Sequence, residues 1–241
     1  MSDTNTHTTA FFARSYVAKL VFLFSLIVLS IGTMLYAGKS AIGNLYVLSL
    51  KSEIQGMESL VAESVAPSVI DARQLAEGVL VWDGSTPSTQ AYVASFSRWF
   101  DHLISQSQLA SDGDSLQLNV VALLDSAIQR RPTMADQYVY KAMELWQQGA
   151  SQTVIAQQFE LAQKYGPFEK SVALASLEFY LAYWPSLATN EKVLASRYLL
   201  SPKKYRLNYR QIGKVISRST NKQRACNLLK FNNVKIRECR A

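Results

Sequence analysis

Leu20-Val-Phe-Leu-Phe-Ser-Leu-Ile-Val-Leu-Ser-Ile-Gly-Thr-Met-Leu-Tyr-Ala-Gly38 determines the architecture of this chain, because the stretch contains no charged side chain. Its 19 residues would form a helix about 29 Å long, close to the ~30 Å hydrocarbon thickness of a bilayer. Ser25, Ser30 and Thr33 can each bond a carbonyl group of the preceding turn, which keeps their hydroxyls satisfied in lipid. The stretch therefore predicts one transmembrane helix over residues 20–38.

Two other interpretations of this stretch are a buried core helix and a cleaved signal peptide. A core helix is seldom so uniformly apolar over this length. A signal peptide has a shorter apolar region that ends at small residues, whereas Leu35-Tyr36-Ala37 places a large residue in the best cleavage pattern. We therefore expect an uncleaved anchor.

The orientation of the anchor is not decided by the flanking charges. Arg14 and Lys19 precede the stretch, and Lys39 and Lys51 follow it, so the positive-inside rule gives no preference. The two cysteines lie together near the C-terminus, which suits a disulfide in an oxidising compartment. We expect a bacterial inner-membrane protein with residues 1–19 in the cytoplasm and the main domain in the periplasm; the inverted topology is the alternative.

Charge divides the chain into two parts. Through Pro202 there are 13 basic and 17 acidic residues, and from Lys203 onward there are 12 basic residues and one acid, Glu238. The chain is thus a mildly acidic body followed by a basic segment, residues 203–241. An anionic partner is expected to meet that segment.

Residues 39–66 predict a helical stalk that continues the membrane helix outward. Apolar residues recur there at alternating steps of three and four, the spacing of an amphipathic helix or a short coiled coil. Packing onto the protein's own domain is the favoured explanation, and dimerisation is the alternative. The residues of this seam are Val47, Leu50, Ile54, Met57 and Val61.

Residues 67–202 predict an all-α domain, because no window from Ser40 to Pro202 alternates as a strand would. The cluster from Trp82 to Pro87 is expected to connect two helices, although Asp83-Gly84 is also compatible with a hairpin. The helix after it carries one aromatic stripe, interpreted as core or, less favourably, as a sugar-stacking surface. The stripe consists of Tyr92, Phe96, Trp99, Phe100 and Ile104.

The clearest internal order is a 35-residue spacing of Pro132, Pro167 and Pro202. A period near 34 is typical of helix-turn-helix repeats, in which a small residue allows close helix contact and a proline ends the second helix. A plain helical bundle with coincidental prolines is the alternative. The central unit fits best, with Val139, Ala142, Met143 and Trp146 on its first helix, Gly149 in the turn, and Ile155, Phe159 and Ala162 on the second helix.

This unit resembles the tetratricopeptide repeat at Phe159, Ala162 and Pro167, and departs from it at Met143, where a small residue is usual. The next unit is weaker. Leu177 and Tyr180 are suitably placed, but Pro185 comes early, and Arg197 stands where a small residue is expected. We therefore expect helical hairpins whose superhelical geometry differs from the family's.

The basic end allows two local structures. In one, Thr220 caps a helix with Gln223 three residues later; in the other, Asn232-Asn233 is a hairpin turn. The helix is favoured, because the hairpin would place Lys230 opposite Lys235. Both structures allow a disulfide between Cys226 and Cys239, which would contribute roughly 3 kcal/mol.

No catalytic motif is found in the sequence, and we expect neither an enzyme nor a cofactor or metal site. Phosphate-binding glycine loops, HExxH and GxSxG are absent, and there are only two histidines. Asp101 and His102 are adjacent on a helix and would point about 100° apart, so they are not a catalytic pair.

With the anchor, the basic end and two central segments taken together, the chain is similar to the VpsP-type family of exopolysaccharide biosynthesis proteins. The two segments are Tyr138-Val-Tyr-Lys-Ala-Met-Glu-Leu-Trp146 and Phe159-Glu-Leu-Ala-Gln-Lys-Tyr-Gly-Pro167. The resemblance rests on layout and implies a bacterial inner-membrane accessory protein that works beside polysaccharide polymerisation and export machinery. It implies no active-site residues.

The predicted function is that of a scaffold which binds other polysaccharide-assembly proteins of the inner membrane. Anionic polysaccharide and lipid headgroups are further expected partners of the basic segment, and nucleic acid is not expected. Candidate partner-binding residues are Arg206, Arg210, Lys214, Arg218 and Trp146. The alternative of direct polysaccharide binding or modification would use Trp82, Trp99, Trp146 and Trp184 as stacking platforms. A third alternative keeps the basic end in the cytoplasm, bound to nucleic acid or anionic lipid.

Overall fold

The fold is all-α, as the sequence predicts. The computed structural model describes residues 5–63, 69–106, 116 and 118–239, with side chains described for 18–54, 70–101, 116 and 118–239. Within these ranges the regular elements are helices and short 3₁₀ turns, with no strand. The helices are α1 (Asn5–Glu63), α2 (Val69–Asp83), α3 (Pro87–Gln106), α4 (Val120–Arg130), α5 (Ala135–Gln147), α6 (Gln152–Tyr165), α7 (Lys170–Ala182), α8 (Thr189–Leu200), α9 (Tyr209–Arg218) and α10 (Lys222–Phe231).

The first half of α1 fits a single-pass membrane anchor. Its apolar side chains from Leu20 to Tyr36 are exposed, and the candidate span within Ala18–Ile54 is long and apolar enough to cross a bilayer. The hydroxyl of Ser25 donates to the carbonyl of Phe22 at 2.8 Å, and that of Thr33 donates to the carbonyl of Ser30 at 2.8 Å. These bonds confirm the expectation for Ser25 and Thr33; no bond from the Ser30 hydroxyl to the preceding turn is found among the described residues.

The second half of α1 packs against α2 and α3. Val47 and Leu50 are buried there, and Ile54 is partly buried against the same cluster. The helices approach closely, because a Cβ atom at Gly78 of α2 would lie 2.6 Å from the Tyr46 ring. Packing onto the protein's own domain is therefore confirmed for this part of the seam, while Met57 and Val61 lie outside the described side chains.

The connection between α2 and α3 is a tight helix-to-helix turn, so the hairpin alternative at Asp83-Gly84 is wrong. The Asp83 carboxylate accepts from the hydroxyls of Thr86 and Thr89 at 2.6 and 2.5 Å. It thereby joins the end of α2 to the first turn of α3, where negative charge is stabilised. Gly84 is needed for the turn, because a Cβ atom there would lie 2.1 Å from the carbonyl oxygen of Leu80.

The remaining helices form consecutive hairpins in the order that the proline spacing predicts. Pro132, Pro167 and Pro202 each lie just after an even-numbered helix, in the connection to the next odd-numbered one. Gly149 turns the chain between α5 and α6 with a φ of +74°, a conformation that favours glycine. The early Pro185 is accommodated in a 3₁₀ turn between α7 and α8. The predicted helical-hairpin repeat is therefore present.

The odd-numbered helices contact one another in sequence, α3 with α5, α5 with α7, and α7 with α9. We call these four helices the odd layer; α4, α6, α8 and α10 form the even layer. Four of the predicted positions of the central unit lie between the layers and are fully buried: Ala142, Ile155, Phe159 and Ala162. In the next unit, Arg197 occupies the position where a small residue is expected, and it is exposed. The small buried residue of α8 is Ala195.

The basic end forms the last hairpin, α9 and α10, and the predicted helix is confirmed over the β-hairpin. The predicted cap is wrong. Asn221 precedes α10, and its side-chain amide donates to the carbonyl of Leu181 at 2.9 Å instead of capping the helix. This bond joins the last hairpin to the end of α7, which accounts for the displaced cap.

Cys226 of α10 and Cys239 form the predicted disulfide, with a Cα–Cα distance of 5.3 Å. The bridge holds the chain end across α9, where the Glu238 carboxylate lies against Gly213; a Cβ atom at this glycine would lie 2.2 Å from Glu238 Oε2. The terminal segment is thereby part of the helical stack.

A Leu50→Ala substitution should lower the free energy of unfolding of the full chain in detergent by about 2–5 kcal/mol, because Leu50 is completely buried. Leu48→Ala is the matched control: it removes the same atoms from the same helix, but Leu48 is 61% exposed, and the change should be within about 0.5 kcal/mol. Chemical unfolding followed by circular dichroism measures both. Equal effects would contradict the packing of α1 on the domain.

Removal of the disulfide by a Cys226→Ala, Cys239→Ala double substitution should lower the free energy of unfolding by roughly 3 kcal/mol. Because the bridge closes only the loop from Cys226 of α10 to Cys239, proteolysis should first cleave within residues 219–239 and leave the earlier hairpins intact. Mass spectrometry of the early fragments tests this, with Ser217→Ala as an exposed control. Early cleavage in α5 or α6 would show that the disulfide stabilises the whole stack.

Candidate binding cavity

Aromatic and charged side chains line a cavity of about 540 Å³ on the odd layer. Each of the four odd-layer helices contributes to its wall. Stacked helical repeats commonly present such a surface for binding. The lining residues are Arg98 and Trp99 of α3, Met143, Trp146 and Gln147 of α5, Glu178 of α7 and Arg218 of α9.

Trp146 is held in place by the aromatic core beneath it. Its ring meets Phe179 edge-on, with centroids 5.5 Å apart, and lies 5.8 Å from the ring of Tyr183. Phe179 is fully buried and also contacts Phe159 of α6. Trp146 is therefore a rigid apolar wall of the cavity whose orientation depends on two hairpins.

Arg98 places a partly desolvated positive charge in the cavity wall. Burial lowers the pKa of its guanidinium, and the nearby carboxylates of Glu144 and Glu178 oppose that shift. Among the described residues, neither carboxylate forms an ion pair with the guanidinium. Glu144 is itself bonded to the Gln148 side-chain amide at 2.8 Å. A cation in this state is suited to an incoming carboxylate or other anion.

The cavity combines two cations with one lining anion. Arg218 at the end of α9 is exposed and adds a second guanidinium, and Glu178 supplies the carboxylate. With the two tryptophans as apolar walls, the arrangement can hold a group that has both an apolar face and a negative charge.

The predicted basic row is not a single site. Arg210, Lys214 and Arg218 lie along α9, but Arg206 precedes the helix in a left-handed conformation, with a φ of 55°. Arg206 forms an ion pair with Glu169 at 3.9 Å, at the opposite end of α9 from Arg218. Of the five predicted partner-binding residues, only Trp146 and Arg218 line the cavity.

The four tryptophans do not form the exposed row that a sugar platform would require. Trp184 is buried, and the Arg224 guanidinium lies 5.5 Å from its ring. Trp82 lies at the end of α2, outside the cavity. Trp99 and Trp146, however, both line the cavity. The buried aromatic stripe of α3 is confirmed as core at Phe96 and Phe100, while Tyr92 is exposed and Ile104 lies outside the described side chains.

Sequence reasoning did not single out Arg98, Met143 or Glu178 as members of a site. Arg98 lies beside the aromatic stripe of α3, and Glu178 lies between core positions of α7. The apolar patterns of these two helices therefore do not identify either residue as part of a site. Within the described part of the chain, no group of three or more histidine, cysteine, aspartate or glutamate side chains is placed to hold a metal ion.

Comparison with protein-family models, with curated proteins and with solved structures finds no match for this chain. The expected membership of the VpsP-type family and the tetratricopeptide resemblance therefore remain predictions. The fold and the cavity are the observations from which a function is inferred.

Proposed function

We propose that the protein is a single-pass scaffold of the bacterial inner membrane whose periplasmic helical-repeat domain holds another exopolysaccharide-assembly protein in the odd-layer cavity. The observation that carries the proposal is the cavity itself, to which all four odd-layer helices contribute. A surface made by several repeats is suited to an extended partner segment. The protein acts in this proposal by binding, without catalysing a reaction.

The proposed membrane side rests on the chain's covalent chemistry. The disulfide joins Cys226 of α10 to Cys239, and disulfides persist in oxidising compartments such as the bacterial periplasm. An N-terminal tail in the cytoplasm and a domain beyond the membrane are consistent with this pairing.

The proposed partner segment has an apolar or aromatic side chain next to a carboxylate. The apolar group would fill the space between Trp99 and Trp146, where burial of a large side chain contributes roughly 1.5–3 kcal/mol. The carboxylate would accept from Arg98 and Arg218, and Glu178 would repel a misplaced second anion.

A photo-crosslinking amino acid at Gln147, which is exposed and lines the cavity, should form an adduct in cells with a protein of the polysaccharide assembly machinery. Adding Arg218→Glu should abolish the adduct, because reversing a charge that contacts the partner costs about 2–5 kcal/mol. Immunoblotting and mass spectrometry of the adduct measure both results.

The matched controls lie in the even layer. The same crosslinker at Gln157 of α6 should give no adduct, and Arg197→Glu on α8 should leave the Gln147 adduct unchanged; both residues are exposed. An adduct at Gln157 alone, or one at Gln147 that persists in Arg218→Glu, would contradict binding at the odd layer.

A second candidate function, binding of acidic polysaccharide, is favoured by one observation. Trp99 and Trp146 line the same cavity as Arg98 and Arg218, and a uronic acid has an apolar ring face together with a carboxylate. Aromatic rings stack on such faces, and guanidinium groups bind carboxylates.

An oligosaccharide of uronic acids should change the tryptophan fluorescence of the full chain in detergent, whereas the same oligosaccharide reduced at its carboxyl groups should not. The change should be lost in Trp146→Phe and kept in Trp82→Phe, because Trp82 does not line the cavity. Titration of both oligosaccharides measures this. Equal binding of the acidic and the reduced forms would exclude the proposed role of the two guanidinium groups.

A further inference from the structure

The connections that follow the even-numbered helices lie together at one edge of the stack. The Arg130 Nη1 atom at the end of α4 donates to the carbonyl oxygens of Gly84 and Ser85, at 3.3 and 2.5 Å. At the end of α6, a Cβ atom at Gly166 would lie 2.6 Å from the Cβ atom of Ala135, the first residue of α5.

The same edge continues toward the basic end. The ring of Phe168, before α7, lies 6.1 Å from the ring of Tyr205, before α9, and Arg206 is paired with Glu169 across these two connections. We call this side, made by residues 82–87, 130–136, 164–170 and 201–210, the lower edge. The upper edge consists of residues 147–152, 182–189 and 218–222.

The lower edge is the side on which α1 leaves the membrane. Trp82 and Asp83 lie against Gly43 of α1, where a Cβ atom would be 3.1 Å from Asp83 Cβ and 3.4 Å from the carbonyl oxygen of Trp82. Gly43 is four residues beyond Lys39, a rise of about 6 Å. The headgroup layer on each side of a bilayer is about 5–7 Å thick. The lower edge therefore begins at headgroup height.

The two edges differ strongly in charge. The lower edge carries eight basic and three acidic residues, and the upper edge carries two basic residues and no acid. The three acids of the lower edge are already bonded within the protein: Asp83 to Thr86 and Thr89, Asp136 to Ser171, and Glu169 to Arg206. The Arg206 pair is the only ion pair at the lower edge among the residues that the structure describes. The basic residues of the lower edge are Arg130, Arg131, Lys164, Lys170, Lys203, Lys204, Arg206 and Arg210.

Large aromatic side chains are exposed along the same edge. Trp82 is 36% exposed, Phe168 is 50% exposed, and Tyr209, in the first turn of α9, is 38% exposed. Exposed aromatic rings beside lysines and arginines are typical of a surface that meets the membrane interface, where the rings lie at headgroup depth.

The last helix extends this surface. α10 packs beside α8: the Arg224 guanidinium lies over the Trp184 ring, and Leu199 of α8 and Leu228 of α10 line the same cavity. It ends toward the lower edge at Phe231, whose side chain is 86% exposed.

We propose that the lower edge lies on the surface of the bilayer that α1 crosses, with its basic side chains on anionic lipid headgroups and its exposed aromatic rings at interfacial depth. The inference rests on the proposed membrane anchor. It adds that the repeat stack is held flat against the membrane at many points and is not a freely rotating domain on a single helix. Each basic residue near an anionic surface adds to the attraction, and a short tether makes the contacts intramolecular. The cavity, which Gln147 and Arg218 of the upper edge help to line, would then lie above the bilayer at a fixed height.

Lysine footprinting of the full chain in nanodiscs tests this orientation. In nanodiscs rich in phosphatidylglycerol at low salt, an amine-reactive reagent should modify Lys164, Lys170, Lys203 and Lys204 at least about fivefold more slowly than in pure phosphatidylcholine nanodiscs. High salt should remove the difference. Lys222 of the upper edge is exposed and should react at the same rate in both nanodiscs. Peptide mass spectrometry gives the rate at each lysine.

A charge-reversed variant separates lipid contact from local shielding. The double substitution Lys203→Glu, Lys204→Glu changes two exposed side chains and should restore the reactivity of the unaltered Lys164 and Lys170 in phosphatidylglycerol nanodiscs. Lys222→Glu is the matched control and should leave their protection intact. Circular dichroism verifies that both variants are folded.

The outcomes distinguish this inference from the anchor on which it rests. If the chain is not retained in nanodiscs, the proposed anchor is wrong, and the inference is wrong with it. If the chain is retained but the lower-edge lysines react as fast as Lys222, or Lys222 alone is protected, only the inference is overturned. Protection of the same lysines by a soluble polyuronic acid in pure phosphatidylcholine nanodiscs, without protection by phosphatidylglycerol, would assign the edge to polysaccharide instead.

Discussion

The arrangement of this protein depends on the repeated reversal of a helical chain at short, proline-containing connections. Because a proline cannot continue the preceding helix, α4, α6 and α8 end just before Pro132, Pro167 and Pro202, and the next helix begins on the same side of the stack. Small buried residues such as Ala142 and Ala162 let the two layers approach closely. The odd layer, its cavity and the two edges all follow from these reversals.

The aromatic core converts this chain geometry into a rigid binding surface. Phe179 touches Phe159 of the preceding hairpin and also Trp146, which lines the cavity. A change in the contact between neighbouring hairpins would therefore move a cavity wall directly. The same dense packing leaves the guanidinium of Arg98 partly desolvated, which is the physical basis of the proposed anion binding.

Position relative to the membrane links the cavity to the anchor. α1 is continuous from Asn5 to Glu63, and Leu50 in its outer half is buried in the core that α2 and α3 share. A helix that spans a membrane and also forms part of a domain core limits the tilt of that domain. The difference in charge between the edges would act in the same direction, because the lower edge has eight basic and three acidic residues and the upper edge has two basic residues and no acid. In the proposed arrangement the anchor would set the height of the cavity above the bilayer, and the lower edge would set its orientation.

The sequence by itself determined the features that depend on local chemistry: the apolar span, the helical class, the hairpin period marked by three prolines, and the disulfide between its two cysteines. It also placed Trp146 and Arg218 among the binding candidates, although it grouped Arg218 with Arg206 and Arg210 as one basic row.

Only the tertiary structure showed that this row runs from one edge to the other, and that Arg98, Trp99 and Glu178 converge with Trp146 from three different helices. The cap at Thr220 was mispredicted for a related reason, since Asn221 bonds to a carbonyl 40 residues away. Helix periodicity and turn residues act over a few positions, and they are therefore readable along the chain. Which side chains meet across a cavity depends on how successive hairpins stack, and that is set by packing between residues distant in sequence.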